Sequence, residues 1–214
     1  MRAFPLVLSS PSGGGKTTIA KALLAAREDM GYSVSATTRQ PRPGEQDGVD
    51  YFFLSRADFQ KRVDAGDFVE WAEYGGQLYG TLKSQVQAVI DAGKHVVLDI
   101  EIQGARQMRR LFPDSVLIFI LPPSAQELMT RLGGTSGTRA ATLGKRLRRA
   151  VDELAAASEY DYVVVNTDRF AAVAEVAAIL DSECRKPSRN PGLRRHLDEL
   201  ASDIASLAAQ HNGS

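Results

Sequence analysis

The sequence predicts an α/β protein in which helices wrap a parallel sheet and a small antiparallel sheet is inserted. Three observations predict it. Short β-branched runs alternate with longer helical patterns, as in chains that fold strand–helix–strand. Those runs are apolar almost throughout, as strands buried on both faces are. Between residues 33 and 82 the texture changes to apolar–polar alternation broken by turns, which marks a sheet with one solvated side.

In chain order, the core strands are expected at 4–9, 95–100, 115–121 and 160–166. Helices are expected at 16–27, 103–111, 125–132, 143–158 and 169–184. The insertion carries its alternating runs at 34–38, 49–54 and 67–74, with turns at 41–44 and 75–76. Residues 133–142 are glycine-rich and poor in apolar side chains, so a loop is expected there. Leucine or isoleucine at 193, 197, 200, 204 and 207 marks an amphipathic tail helix, set off by Pro187 and Pro191. The chain therefore divides into a core (1–32, 83–132 and 143–186), an insertion (33–82), a loop (133–142) and a tail (187–214).

Composition narrows the function. Of 214 residues 43% are hydrophobic, enough for a packed core, and Lys plus Arg balances Asp plus Glu at 26 each. Binders of nucleic acid or membrane surfaces carry a basic excess, so neither partner is expected. Cys184 is the lone cysteine, which rules out a disulfide framework and fits a reducing compartment. The longest apolar run, 116–121, falls far short of the roughly 20 residues of a spanning helix. A cytoplasmic protein is expected.

The sharpest motif runs from Ser9 through Ser10, Pro11, Ser12, Gly13, Gly14, Gly15, Lys16 and Thr17 to Thr18. It leaves an apolar strand and opens a helix, where free backbone N–H groups and the positive dipole end favour an anion. The glycines let the backbone wrap phosphates, Lys16 reaches the outer ones, and the Thr17 hydroxyl can ligate Mg²⁺. Ser10 stands where the usual pattern has its first glycine. A phosphate loop (P-loop) for a nucleoside triphosphate is expected, over the duller reading of a glycine-rich turn.

A second group is spread over the insertion and beyond: Ser35, Arg39, Arg42, Tyr51, Glu70, Tyr79, Thr81 and Asp99. Singly, each has an ordinary explanation in packing or surface charge. Together they suit a purine monophosphate, with arginines and phenols on the phosphate. A carboxylate can accept both N1–H and the N2 amino group of guanine; adenine lacks that pair of donors.

These residues lie in a pattern that resembles guanylate kinases. Ser-x-Thr-Thr-Arg-x-Pro-Arg-x-Gly-Glu-x-x-Gly-x-x-Tyr spans 35–51, Tyr-Gly-Thr spans 79–81 and Asp-Ile-Glu-Ile-Gln-Gly spans 99–104. The phosphate loop and Tyr-Asp-Tyr-Val-Val-Val-Asn at 160–166 also match, over about 4–180 in all. The resemblance implies a P-loop core, a GMP-binding insertion and a lid. It implies a cytoplasmic nucleoside-monophosphate kinase of purine metabolism, taking ATP and GMP or dGMP with Mg²⁺. By matching position, Ser35, Glu70, Thr81 and Asp99 would read guanine, while Arg39, Arg42, Tyr51 and Tyr79 would hold its phosphate. Asn166 would lie by the adenine of ATP. Asp99 could equally serve the metal; the resemblance favours guanine for it and leaves Glu101 near the Mg²⁺ waters.

The lid departs from the family. Arg131 and Arg146 fall at the expected spacing and would be catalytic with Lys16, but a middle arginine is replaced by Thr135 and its glycine by Ser136. Residues 131–149 carry six basic side chains (Arg131, Arg139, Lys145, Arg146, Arg148, Arg149) and no acidic one. Charge delivered to the transferring phosphoryl group is worth about three to five decades of rate. Either Arg131 and Arg146 suffice, or Arg139 reaches in, or turnover is impaired; in the last case Thr135→Arg raises kcat. Two other functions fit parts of the pattern. A ribose bisphosphate kinase relative would share the phosphate loop without the guanine set, and a catalytically weak phosphopeptide-binding module would keep the monophosphate pocket. The tail's stripe must bury on its own core or in a homodimer.

Overall fold

The computed structural model describes residues 2–133 and 140–211, the side chains of 140–142 and 211 excepted. Thr135, Ser136 and Arg139, on which the lid expectation turns, lie outside the described residues. The chain forms two compact units, Ala3–Ala177 and a smaller one of Met1–Arg2 with Ala178–Ser214.

The larger unit is built on a parallel sheet of five strands. They are β1 (Pro5–Ser9), β2 (Met30–Tyr32), β7 (His95–Asp99), β8 (Val116–Leu121) and β9 (Tyr162–Val165), in the order β2-β7-β1-β8-β9. Leu6, Val7, Val96, Val97 and Ile118 are fully buried, as a sheet covered on both faces requires. β1 lies at the centre between β7 and β8. The phosphate loop therefore leaves the middle of the sheet's carboxyl edge, where open α/β sheets bind ligands. β2 was not expected, because three residues around Gly31 carry no periodic signal.

The insertion is a second sheet: β3 (Ser35–Thr37), β4 (Phe52–Phe53), β5 (Phe68–Tyr74) and β6 (Gln77–Leu82), ordered β4-β3-β6-β5. β3–β6 and β5–β6 are antiparallel, but β4 joins β3 in parallel, so the sheet is mixed at that edge. The expected strand at 49–54 shrinks to two residues because carboxylates hold the preceding backbone in turns. Asp50 accepts the Gln46 N–H and Asp47 the Phe53 N–H, both at 2.8 Å. One face of this sheet packs Ala36, Phe68, Leu78 and Leu82 against Phe59 of α2 (Arg56–Asp64).

Neither α2 nor α3 (Lys83–Asp91) was expected. Each buries a single side chain fully, Phe59 or Val86, so neither shows a strong 3.6-residue period. The Ser55 hydroxyl caps α2 by accepting the Asp58 N–H at 3.0 Å. The remaining helices of this unit follow expectation closely: α1 (Lys16–Ala26), α4 (Ile102–Leu111), α5 (Ala125–Gly133) and α6 (Ala140–Leu154). α6 begins inside the segment expected as a loop. It stops at Leu154 and gives way to a 3₁₀ turn at Ala155–Glu159, where a run of alanines hides the change.

α7 (Arg169–Cys184) runs from the first unit into the second. There the buried Glu183 pairs with Lys186 at 2.6 Å and Arg189 at 3.1 Å, and the Arg2 N–H donates to the Arg189 carbonyl. α8 (Leu193–His211) forms as the tail pattern predicts. No helix among the described residues is long and apolar enough to cross a membrane.

Candidate active site

The phosphate loop is shaped by its glycines. Gly13 and Gly15 have φ of 86° and 97°, in the left-handed region that side chains avoid. A Cβ on Gly15 would fall 2.5 Å from Asn166 Nδ2, so the loop closes against that side chain. Asn166 Nδ2 donates to the Gly14 carbonyl at 3.0 Å. Asn166, next after β9, thus braces the loop. Gly15 caps α1 without a side-chain hydrogen bond. The first N–H groups of α1 are therefore left to face an anion.

Three cations converge on the loop. Lys16 Nζ lies 2.7 Å from Glu101 Oε1. Arg146 Nη2 donates to Ser12 Oγ at 3.1 Å and its Nη1 to the Leu132 carbonyl at 3.2 Å. Arg131 pairs through Nε with Glu127 at 2.7 Å and through Nη2 with the Asn166 carbonyl at 3.3 Å. Its Nη1 is buried and has no hydrogen-bond partner among the described residues. Thr17 Oγ1 donates to Asp99 Oδ2 at 2.6 Å. Both acids of the Asp-x-Glu run that starts at the last residue of β7 therefore touch the loop: Asp99 through the hydroxyl and Glu101 through the ammonium.

A cleft of about 680 Å³ opens from this loop onto the second sheet. Lys16, Thr17, Ser35, Tyr51, Glu70, Tyr79, Asp99 and Glu101 all line it, with Glu45 and Tyr74. Strand register brings the distant ones together. Ser35 on β3 and Glu70 on β5 both stand opposite Thr81 on β6, forming one row across three strands. A bulge at Val69 sets that row, since Phe68 pairs Leu82 while Glu70 pairs Thr81. It also buries three consecutive residues, 68–70, where simple alternation was expected.

Glu70 is 7% exposed. Thr81 Oγ1 donates to its Oε1 at 2.6 Å. Burial pushes its carboxyl up to about 7, against the pull of the Thr81 hydroxyl. A Cβ on Gly104, near the start of α4, would fall 2.6 Å from Glu70 Oε2. Gly104 thus leaves room for the second carboxylate oxygen; the motif at 99–104 contained this residue, but spacing alone gave it no role.

The monophosphate set is only partly gathered. Arg39 forms a two-pronged pair with Glu45, at 3.0 and 2.9 Å. Its guanidinium lies 5.4 Å from the Tyr51 ring centroid, and Tyr51 meets Tyr79 edge-on at 6.2 Å. Burial first, then the nearby Asp99 charge, raises the Tyr51 phenol. Neither Arg39 nor Arg42 lines the cleft; Arg42 is exposed, and its backbone N–H donates to Glu45 at 2.7 Å. Glu45 was not expected as a site residue. Its sign is the reason: a carboxylate in a phosphate site makes sense only once it is seen to orient an arginine.

Residues 2–183 match the family model for guanylate kinase. The chain is 47% identical over 186 residues to the guanylate kinase of Desulfitobacterium hafniense, covering 87% of this chain and 93% of that one. It is 44% identical over 200 residues to that of Maricaulis maris, covering 93% and 92%. Among solved structures, guanylate kinase from Anaplasma phagocytophilum superimposes with a TM-score of 0.75 at 35% identity, covering 92% of this chain and 94% of that one.

Proposed function

The chain belongs to the guanylate kinase family, and from that premise we propose how its residues divide the work. It is a nucleoside-monophosphate kinase that phosphorylates GMP with ATP. Neither the ribose bisphosphate kinase nor the phosphopeptide-module reading finds support in these relatives. The observation that carries the division of roles is the single cleft joining the phosphate loop to the buried Glu70–Thr81 pair.

ATP takes the loop, with Ser10 to Thr18 supplying backbone donors and Lys16 reaching the outer phosphates. Arg131 and Arg146, on helices flanking the loop, add charge, and Arg131 has a buried nitrogen with donors to spare. GMP or dGMP lies along the second sheet. Glu70 Oε2 accepts from the guanine N1–H and N2 amino group, and Ser35 and Thr81 flank it in the same row. Tyr51 and Tyr79 take the monophosphate from within the cleft; Arg39, whose fork Glu45 holds, and Arg42 join by moving toward it.

No nucleophilic side chain is needed, because a GMP phosphate oxygen attacks the γ-phosphorus directly. The bond to the β–γ bridging oxygen breaks and its electrons leave with ADP, so positioning and charge do the catalysis. The loop also suits Mg²⁺. The Thr17 hydroxyl, bonded to Asp99, and the Glu101 carboxylate, bonded to the adjacent Lys16, are hard oxygen donors at the start of α1. Thr17 would hold the ion directly and the two acids through water. Bound with ATP, it would neutralise charge on the phosphate oxygens. Cytoplasmic location follows from the substrates, and the tail stripe of α8 is read as the seam between two copies.

A coupled ADP-release assay with GMP, dGMP and AMP tests the assignment. GMP and dGMP are expected to turn over, AMP is not, and Lys16→Ala is expected to lose at least a hundredfold in kcat, as loss of a phosphate-loop charge should. Binding of GMP without turnover, or equal turnover of AMP, would overturn it.

A further inference from the structure

Arg149 has no part in the roles just assigned. It sits on α6 one turn beyond Arg146, and it is the middle of a chain of contacts that begins and ends on the phosphate loop. The Ser12 N–H donates to Glu153 Oε2 at 3.0 Å. The other Glu153 oxygen accepts from Arg149 Nε at 2.6 Å. Arg149 Nη2 reaches Glu101 Oε2 at 3.4 Å, and Glu101 Oε1 holds Lys16 Nζ at 2.7 Å. A guanidinium and the loop's ammonium thus hold opposite oxygens of one carboxylate.

Two further features give the guanidinium a direction. The Tyr74 ring, which lines the cleft, covers it at 5.2 Å from the centroid. Its Nη1 has no hydrogen-bond partner among the described residues. Glu153 is buried and tied to the loop backbone, so the Nε end is fixed while Nη2 reaches Glu101, a residue that lines the cleft. The guanidinium itself is half exposed, and an i,i+4 pair with Glu153 inside α6 does not require the reach across to Glu101.

We propose that Arg149 is a catalytic residue that contacts the transferring phosphoryl group beside Lys16. As Lys16 turns from Glu101 to the outer phosphates, the Arg149 fork stands where two of its N–H groups can take two oxygens of one phosphoryl group. It strengthens there as charge spreads over those oxygens while the γ-phosphorus moves from the ADP oxygen to the GMP oxygen. The charge absent at Thr135 then does not limit turnover. The proposal rests on reading 9–18 as the triphosphate site.

Arg149→Gln and Arg149→Lys, assayed in the full chain with ATP and GMP, test it. The glutamine variant is expected to lose roughly a thousandfold in kcat, the low end of what a phosphoryl-transfer arginine supplies, with both KM values within threefold, and lysine to recover part of that. Trapping of ADP, aluminium fluoride and GMP, which mimics the transition state, is expected to weaken at least tenfold in the glutamine variant while ADP affinity holds. That last reading also shows that the variant is folded. A fall in kcat of less than tenfold, or a loss confined to the KM for ATP, overturns the proposal. Retained kcat in Lys16→Ala would instead overturn the assignment of the loop.

Discussion

Glu70 shows how a single side chain trades stability for recognition. Burial lifts its carboxyl to about 7 from the usual 4.5, so the folded chain holds a proton there that the unfolded chain releases. Stability attributable to this group is therefore present at low pH and is lost as pH rises from about 4.5 through about 7. Reading guanine needs the opposite form, an ionised acceptor for two donors. Glu70→Gln keeps an oxygen for the Thr81 hydroxyl and removes the buried charge. It is expected to raise Tm by a few degrees at pH 8, to show no gain at pH 5, and to weaken GMP binding at least tenfold at pH 8. Thermal melts and titrations at the two pH values check this; a lower Tm at pH 8 would mean that the ionised carboxylate has partners that offset its burial. Gly104 belongs to the same economy of space, since any side chain there would displace the oxygen that guanine is to meet.

Among the elements, α5 and α6 matter most to the loop. Leu128 and Leu132 of α5 pack on Ala150 of α6, with Leu143 and Leu147 beside them. Leu132 is fully buried, and its Cδ2 lies 3.0 Å from where a Gly13 side chain would begin. The helix pair therefore supports the phosphate loop from one side as Asn166 supports it from another. Leu132→Ala is expected to cost about 2–5 kcal/mol of stability, the usual range for a buried leucine. It should also raise the KM for ATP severalfold while leaving that for GMP alone. Urea melts and steady-state kinetics measure both. An unchanged KM for ATP would separate the loop from the helices. Element by element, the sequence was most legible where an apolar run is unbroken, as in β1, β7 and β8. It was least legible in α2 and α3, which bury one side chain apiece, and in β4, where Asp47 and Asp50 capture the backbone.

At the scale of the whole molecule, every group assigned to the reaction lies within Ala3–Ala177, while the tail helix belongs to the smaller unit. Removing residues 193–214 is expected to leave kcat and both KM values within twofold and to convert a dimer into a monomer by light scattering. A monomeric intact chain would reject the seam. What the sequence determined by itself is local chemistry: a strand, glycines, Lys16 and Thr17 are contiguous, and their geometry follows from a strand running into a helix N-terminus. Residue types also announced a purine monophosphate. The tertiary structure alone decided which of those residues meet. The bulge at Val69 sets the register that aligns Ser35, Thr81 and Glu70, and no single strand encodes it. Likewise, Glu45 orients Arg39, Asn166 turns beneath the loop, and Arg149 reaches Glu101 across 48 residues of chain. Such contacts depend on where separate elements pack, because side chains far apart along the chain act together only when the fold fixes their distance.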